Sequence, residues 1–211
     1  MTKNEARPRK IGLMGGTFDP IHFGHLFIAE AARIACDLDE VIFFPNGTPA
    51  HAEGKVAALD GETRFELLQI AIAGNPHFRA SRLELERPGK SFAFDTIQQF
   101  ARELGSETEL FFIVGADSMN DILTWYRGAQ LFGLCRFVAA SRPGFPLEDA
   151  KIRLTALQNA QTTWLEVPGL HIASRELRAR VQNDLPIRYL VPDAVAARIS
   201  ELKLYKEQGT S

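Results

Sequence analysis

The sequence predicts an α/β fold built on an open, mostly parallel sheet. Short apolar runs alternate along the chain with longer segments in which apolar residues recur at helical spacing. That alternation is typical of strand–helix–strand units, whose strands pair in parallel. Four clusters of glycine or polar residues also follow predicted strands, and the loops after parallel strands share one edge of the sheet. With 211 residues, 45% of them apolar, the chain can bury a sizeable core.

Each predicted element follows from its local pattern. The predicted strands are Ile11–Met14, Asp39–Phe44, Phe78–Leu85, Glu109–Val114, Arg136–Ala140 and Thr163–Val167. The predicted helices are Leu26–Ala32, Glu62–Gly74, Ser91–Leu104, a segment with Trp125 and Tyr126, Leu147–Ala160, Ser174–Val181 and Pro192–Leu204. We therefore expect a Rossmann-like sheet with helices on both faces and a small C-terminal helical segment. Residues 1–211 would form one domain, with a core at about 9–205 and a C-terminal helical part at 174–205.

Composition excludes several classes of protein. The 24 basic and 26 acidic side chains give a net charge of −2, which argues against a nucleic-acid footprint. No apolar run approaches the roughly 20 residues of a membrane span, so no membrane association is expected. Cys36 and Cys135 lie far apart in apolar surroundings, which favours reduced thiols and a cytoplasmic location. Small anionic ligands remain, because they need only local positive charge.

The stretch from Lys10 to Ala32 carries the strongest functional signal. The first apolar run is followed at once by Gly15 and Gly16, which permit a sharp turn and a close approach of a ligand to the main chain. His22 and His25 then precede the first helix. This corner of an α/β sheet binds anions, because free backbone N–H groups and the helix dipole point at it. The pattern is neither a Walker loop nor a dinucleotide fingerprint.

Two functions are open for the histidine pair. Spacing of three residues can place both rings on one side of a helix as metal ligands, but no third ligand is evident nearby. Protonated imidazoles that donate hydrogen bonds to a phosphate chain explain the pattern better. The remaining alternative is a glycine-rich turn with two partly exposed histidines.

The run GGTFDPIHFGH resembles the signature of the nucleotidyltransferase superfamily, whose short form is His-x-Gly-His. The longer form is similar to nicotinate-nucleotide adenylyltransferases, and the resemblance extends from Ile11 to Tyr205. It implies transfer of the adenylyl group of ATP to nicotinate mononucleotide, giving nicotinate adenine dinucleotide and pyrophosphate in NAD biosynthesis. It also implies that Mg²⁺ accompanies ATP, held by phosphates and water, without a protein metal site.

The resemblance assigns residues to the two substrates. His22, His25 and Arg178 would stabilise the phosphates during catalysis. Contacts to ATP are implied for Gly15, Gly16, Thr17, Phe18, His22, His25, Gly115, Asp117, Arg142, Ser174 and Arg178. Contacts to the mononucleotide are implied for His51, Asp95, Thr96 and Trp125. From the residues alone, Asp117 can accept from ribose hydroxyls and Ser174 can cap a helix, whereas the spacing around Trp125 favours a buried core position over a stacking surface.

The sequence departs from the family pattern at six positions, and Ala50, Phe92 and Ala173 are three of them. Ala52 stands for a Lys, Ala93 for a Thr and Arg175 for a Ser or Thr. Two alternatives stay open, and Ala52, Ala93 and Arg175 motivate the second of them. One is an adenylyltransferase for nicotinamide mononucleotide or another phosphorylated acceptor, and the other is a nucleotide-binding module without catalysis. The number of subunits is not predicted.

Overall fold

A computed structural model describes residues 7–49, 57–141, 151–152 and 161–206. Six strands of this part of the chain form one sheet. They are β1 (Arg9–Gly16), β2 (Glu40–Pro45), β3 (Phe78–Ala80), β4 (Thr108–Gly115), β5 (Arg136–Ser141) and β6 (Thr162–Glu166). Every neighbouring pair in this sheet is parallel, and the strand order is β3-β2-β1-β4-β5-β6. The predicted Rossmann-like sheet is confirmed.

Seven α-helices of at least one turn lie in the described residues outside 151–152. They are α1 (Phe23–Cys36), α2 (Gly61–Ile72), α3 (Ala93–Leu104), α4 (Ala116–Asp121), α5 (Gly128–Leu131), α6 (Ser174–Gln182) and α7 (Asp193–Glu201). Residues 151–152 are also helical, while the rest of the predicted helix Leu147–Ala160 lies outside the described residues. Among the described residues, no helix is both long enough and apolar enough to cross a membrane.

Side chains of each strand alternate between two apolar layers, one on each face of the sheet. In β4, Phe112 faces the layer that holds α3 to α5, whereas Phe111 and Ile113 face the layer that holds α1, α2, α6 and α7. A strand covered on both faces is apolar along its whole length, which is why β1 and β4 are short continuous apolar runs. Helices therefore lie on both faces, as predicted.

The third strand is shorter than the sequence pattern indicates. Pairing with β2 ends near Ala80, which lies opposite Phe43, and the last main-chain bond runs from the Ser81 N–H to the Phe43 carbonyl. The chain then turns, with the Glu86 N–H donating to the Arg82 carbonyl. The prediction of a strand over Phe78–Leu85 is wrong beyond Ala80. Leu83 is buried, but it lies in a turn and not in a strand.

Trp125 and Tyr126 do not lie within a helix, contrary to the prediction. A single 3₁₀ turn, Ile122–Thr124, ends at Trp125, whose backbone is extended. Gly128 then begins α5 against the Ile122 carbonyl, where a Cβ atom would lie only 2.0 Å from the oxygen. The two short helices fold back on each other at this contact, so one continuous helix cannot form.

The start of α3 also differs from the prediction. Ser91 does not begin the helix but pairs, with Lys90, in parallel to Thr48–Pro49. The helix begins at Ala93. This two-stranded contact links the loop after β2 to the segment before α3.

Candidate active site

A cleft of about 520 Å³ lies at the carboxyl ends of the central strands. The strand order reverses between β1 and β4, and such a switch point is the usual ligand site of an open α/β sheet. Five of the predicted site residues line this cleft: His22, His25, Gly115, Asp117 and Ser174. The loop after β1, the ends of β4 and β5, and the segment before α6 therefore meet at one place.

His22 and His25 stand together at the entrance to α1. Their ring centroids are 3.7 Å apart and the ring planes differ by 24°, so the two imidazoles are stacked. His22 is the N-cap residue, and its carbonyl accepts from the His25 and Leu26 N–H groups. Gly24 allows this arrangement, because a Cβ atom at that position would lie 3.0 Å from the His22 ring.

Burial lowers the pKa of both histidines in the free protein. Burial lowers the pKa of His22 from 6.5 to about 4. Burial, and to a smaller extent the charge of His22, lowers the pKa of His25 well below its ordinary value. Both shifts favour neutral rings in the free protein near pH 7, and protonation of the rings when they face a phosphate chain stays a prediction. A neutral imidazole still donates one hydrogen bond, and a bound anion would raise both pKa values.

Both rings also carry an unpaired polar atom. Nδ1 of His22 and Nδ1 of His25 are buried and have no hydrogen-bond partner among the described residues. Buried polar atoms are normally paired, so two adjacent exceptions that line one cleft call for an explanation. A ligand that exchanges hydrogen bonds with the rings would supply it.

Arg178 and Ser174 contact the loop between β1 and α1. The Arg178 Nη1 donates to the Asp19 carbonyl at 2.7 Å, and the Ser174 hydroxyl donates to the Pro20 carbonyl at 2.9 Å. Ser174 is thus the first residue of α6 and not its cap, because Ala173 holds the cap position. Arg178 is not among the described residues that line the cleft, although its side chain remains 29% exposed.

The glycine turn is shaped by aromatic rings. A Cβ atom at Gly15 would lie 2.5 Å from the Phe44 ring. Phe18 is buried and meets the His25 ring edge to face, with centroids 5.1 Å apart. Its side chain therefore supports the histidine pair, and only its main chain is available to a ligand. Thr17 is exposed and accepts from the Asn46 side chain.

Three of the residues predicted to contact the mononucleotide lie in the described part of the chain. Trp125 is half-buried and meets Phe112 edge to face at 6.5 Å. Asp95 is half-buried in the first turn of α3. Thr96 is fully buried, and its hydroxyl donates to Glu84 and accepts from Arg87. The structure thus does not bring these three residues into the described lining of the cleft.

A protein-family model described as cytidylyltransferase-like matches residues 13–185. A "probable nicotinate-nucleotide adenylyltransferase" of Moorella thermoacetica is 45% identical over 203 residues, covering 95% of this chain and 93% of the relative. A protein of the same description from Clavibacter michiganensis subsp. michiganensis is 44% identical over 206 residues, covering 98% of both.

The chain belongs to the nicotinate-nucleotide adenylyltransferase family. The resemblance carried by GGTFDPIHFGH is thereby confirmed. The fold agrees as well. A Plasmodium falciparum nicotinic acid mononucleotide adenylyltransferase, solved in complex with NaAD, matches with a TM-score of 0.77 and 19% identity, covering 93% of this chain and 97% of that one.

Two family positions fall outside the described residues. They are His51, which follows β2 in the sequence, and Arg142, which follows β5 in the sequence. Their assignments to the mononucleotide and to ATP stay predictions. Ser141, the last residue of β5, is buried and lines the cleft next to Arg142.

The sequence analysis missed two residues that shape the site. Asp19 is 2% exposed, and its carboxylate accepts from the Ala58 N–H at 2.6 Å and from the Tyr205 hydroxyl at 2.8 Å. Arg64 is also buried, and it donates to the carbonyls of Thr17 and Asn46. A signal existed for Arg64, because it lies one helical turn before the buried Leu68.

Proposed function

We propose that this chain transfers the adenylyl group of ATP to the 5′-phosphate of nicotinate mononucleotide in the cleft beside His22 and His25. The products are nicotinate adenine dinucleotide and pyrophosphate. One observation carries the proposal: two stacked imidazoles with unpaired Nδ1 atoms line a cleft at a helix N-terminus. Membership of the family supplies the two substrates.

His22 and His25 stabilise the α- and β-phosphates. The acceptor phosphate attacks the α-phosphorus, and negative charge accumulates on oxygens that the rings can contact. Such transfer depends on positioning and on charge stabilisation more than on a protein nucleophile. Neutral rings that donate one hydrogen bond each, and gain protons as the anion binds, fit that need.

Arg178 donates hydrogen bonds to the β- and γ-phosphates. One of its guanidinium nitrogens holds the Asp19 carbonyl, and its fork retains further donors. We assign Arg142 and the main chain of Gly15, Gly16, Thr17 and Phe18 to the same polyphosphate, and Ser174 to its neighbourhood. Gly115 and Asp117 line the cleft where the nucleotide ribose would lie. Asp117 is exposed there and can accept from ribose hydroxyls.

The mononucleotide occupies the side of the site near Trp125 and Asp95, and His51 is assigned to the same substrate. The indole face of Trp125 offers a surface for the pyridine ring. Thr96 supports this region from within, through its bonds to Glu84 and Arg87.

Mg²⁺ enters with ATP. The described residues contain no group of three or more His, Cys, Asp or Glu side chains that could hold a metal. Phosphates and water would hold the ion, an arrangement that Mg²⁺ often adopts. The ion would offset phosphate charge.

We also propose that residues 1–211 form one domain in the cytoplasm. Leu177 of α6 and Val195 of α7 pack into the same apolar layer as β1 and β2, which supports a shared core. Cys36 and Cys135 are free thiols, as a reducing compartment favours.

A pyrophosphate-release assay tests the function. Purified protein is given ATP and Mg²⁺ with either nicotinate mononucleotide or nicotinamide mononucleotide, in parallel. We expect release with the nicotinate form and a loss of about 100-fold in kcat for His25→Ala, since one contact to a developing oxyanion contributes about 3 kcal/mol. His77→Ala is the matched control, because His77 is exposed just before β3 and is not among the described residues that line the cleft beside residues 19–25, the histidine turn.

Three results would contradict the proposal. Full turnover by His25→Ala with unchanged Michaelis constants would remove the pair from the mechanism. Faster release with nicotinamide mononucleotide would make the amide the substrate. Tight ATP binding without release from either mononucleotide would indicate a nucleotide-binding module.

A further inference from the structure

Four hydrogen bonds join the C-terminal helical part to the turn between β1 and α1. We call this set the C-terminal clasp. Its bonds run from the Ser174 hydroxyl to the Pro20 carbonyl, from the Arg178 Nη1 to the Asp19 carbonyl, from the Tyr205 hydroxyl to Asp19 Oδ1, and from the Phe23 N–H to the Leu190 carbonyl. They surround His22 in sequence, with three at Asp19 and Pro20 before it and one at Phe23 after it.

The Asp19 carboxylate is the central acceptor of the clasp. It is 2% exposed, and each oxygen accepts a hydrogen bond, from Tyr205 at 2.8 Å and from the Ala58 N–H at 2.6 Å. The Arg178 Nη1 lies 3.9 Å from Oδ2. A buried carboxylate is stable only when such partners remain in place, so loss of one partner disturbs the turn itself.

Tyr205 reaches Asp19 across 186 positions of sequence. Burial and the neighbouring carboxylate raise the pKa of Tyr205, so its hydroxyl stays protonated and donates. Its backbone is left-handed, with φ of 62°, a conformation that a tyrosine keeps only when its surroundings hold it. The core supplies that support, because Tyr205 and Leu204 pack against the apolar layer that holds Val195 and Ile199 of α7.

The histidine rings need this external support. Neither Nδ1 has a partner among the described residues, so no side-chain hydrogen bond at that atom fixes the rings in the free protein. Their positions depend on ring stacking, on the edge-to-face contact of Phe18 with His25 and on the backbone between Asp19 and Phe23. A displacement of about 1 Å in a catalytic group can lower a rate by roughly 100-fold.

We propose that Tyr205 is a positioning residue for His22 and His25 and acts through the Asp19 carboxylate. The inference rests on the proposed function, since it assumes that the two rings contact phosphate. Tyr205 itself touches no substrate. The last turn of the C-terminal part thus takes part in catalysis at the opposite end of the sequence.

The test removes one oxygen atom. In Tyr205→Phe the ring remains and the bond to Asp19 is lost. We expect kcat to fall about tenfold, which one weakened contact of about 1.4 kcal/mol would produce, with the KM for ATP nearly unchanged. Tyr189→Phe is the matched control, because Tyr189 is 77% exposed in the same C-terminal part and should keep wild-type kcat.

A second readout separates positioning from stability. The imidazole Cε1–H signals of His22 and His25 are recorded by NMR and assigned from His22→Asn and His25→Asn. We expect both signals to move in folded Tyr205→Phe and to stay in Tyr189→Phe. Circular dichroism gives the folded fraction of each variant, to which every kcat is normalised.

Either of two outcomes overturns the inference. One is a normalised kcat of Tyr205→Phe equal to that of Tyr189→Phe. The other is a fall in activity that matches the unfolded fraction while the ring signals stay in place. If wild-type protein releases no pyrophosphate, the proposed function fails by itself, and the ring signals alone still decide whether Tyr205 orders the histidine turn.

Discussion

Buried imidazole nitrogens at the histidine turn have no hydrogen-bond partner in the described part of the chain, whereas the buried Thr96 hydroxyl near the start of α3 has two. At the turn, the Nδ1 atoms of His22 and His25 have no partner among the described residues. At the start of α3, the Thr96 hydroxyl joins Glu84 to Arg87, and Arg87 also donates to Gln99. Both regions carry residues that the family pattern associates with substrates.

This difference separates two meanings of a functional motif. Unpaired groups on rings that line a cleft can form hydrogen bonds with a ligand. They have no partner until the ligand binds. Groups that already satisfy one another hold the fold around the site. Mutations should therefore change activity at the histidine turn and stability at the start of α3.

The largest expected effect is on the activity of His22→Asn. We expect kcat to fall about 100-fold, because the variant loses a hydrogen-bonding ring at the developing charge. The free energy of unfolding should change much less, because the His22 Nδ1 makes no hydrogen bond to the described residues that the substitution could break. Pyrophosphate release and urea denaturation measure the two effects. A variant that unfolds more readily yet keeps wild-type kcat would reverse the comparison.

The converse is expected for Thr96→Val. This change keeps the shape of the side chain and removes the hydroxyl, so Glu84 loses a donor and Arg87 loses an acceptor. The free energy of unfolding should fall by about 2 kcal/mol, the usual cost of buried groups left without a partner. Urea denaturation measures it. A raised KM for nicotinate mononucleotide without loss of stability would instead support direct contact between Thr96 and the substrate.

The sequence was sufficient to predict those parts of the fold and of the site whose contacts are local or periodic. The strands β1 and β4 are recognisable because burial on both faces demands continuous apolar runs. The cleft was predictable because His22 and His25 lie within a few residues of the glycine turn. The open sheet then places that turn at the switch point.

The sequence was not sufficient to predict features that depend on contacts between segments far apart in the chain. The bond between Asp19 and Tyr205 joins positions 186 apart, and no local pattern indicates it. Packing of Gly128 on the Ile122 carbonyl breaks the helix that the pattern around Trp125 indicates. The neutral state of the histidines likewise follows from burial, which only the tertiary structure defines.

That burial predicts a pH dependence of stability. The pKa of His22 is lowered from 6.5 to about 4, so the unfolded chain binds more protons than the folded protein between these values. The contribution of His22 is present above pH 6.5 and is lost as the pH falls towards 4. From pH 7 to pH 5 the free energy of unfolding should fall by about 2 kcal/mol more in wild type than in His22→Asn. Urea denaturation at both pH values measures this difference, and equal slopes would show that the ring is not buried as described.

The smallest effect is expected at Ser91, which lies only five positions before Thr96. Its hydroxyl is buried and has no partner among the described residues. Ser91→Ala removes that unsatisfied group and should leave the free energy of unfolding within about 0.5 kcal/mol of wild type, or raise it, because no partner is orphaned. Thr96→Val is the matched contrast in the same segment. If Ser91→Ala lowered the free energy of unfolding as much as Thr96→Val does, the presence of hydrogen-bond partners would not explain which buried groups stabilise the fold.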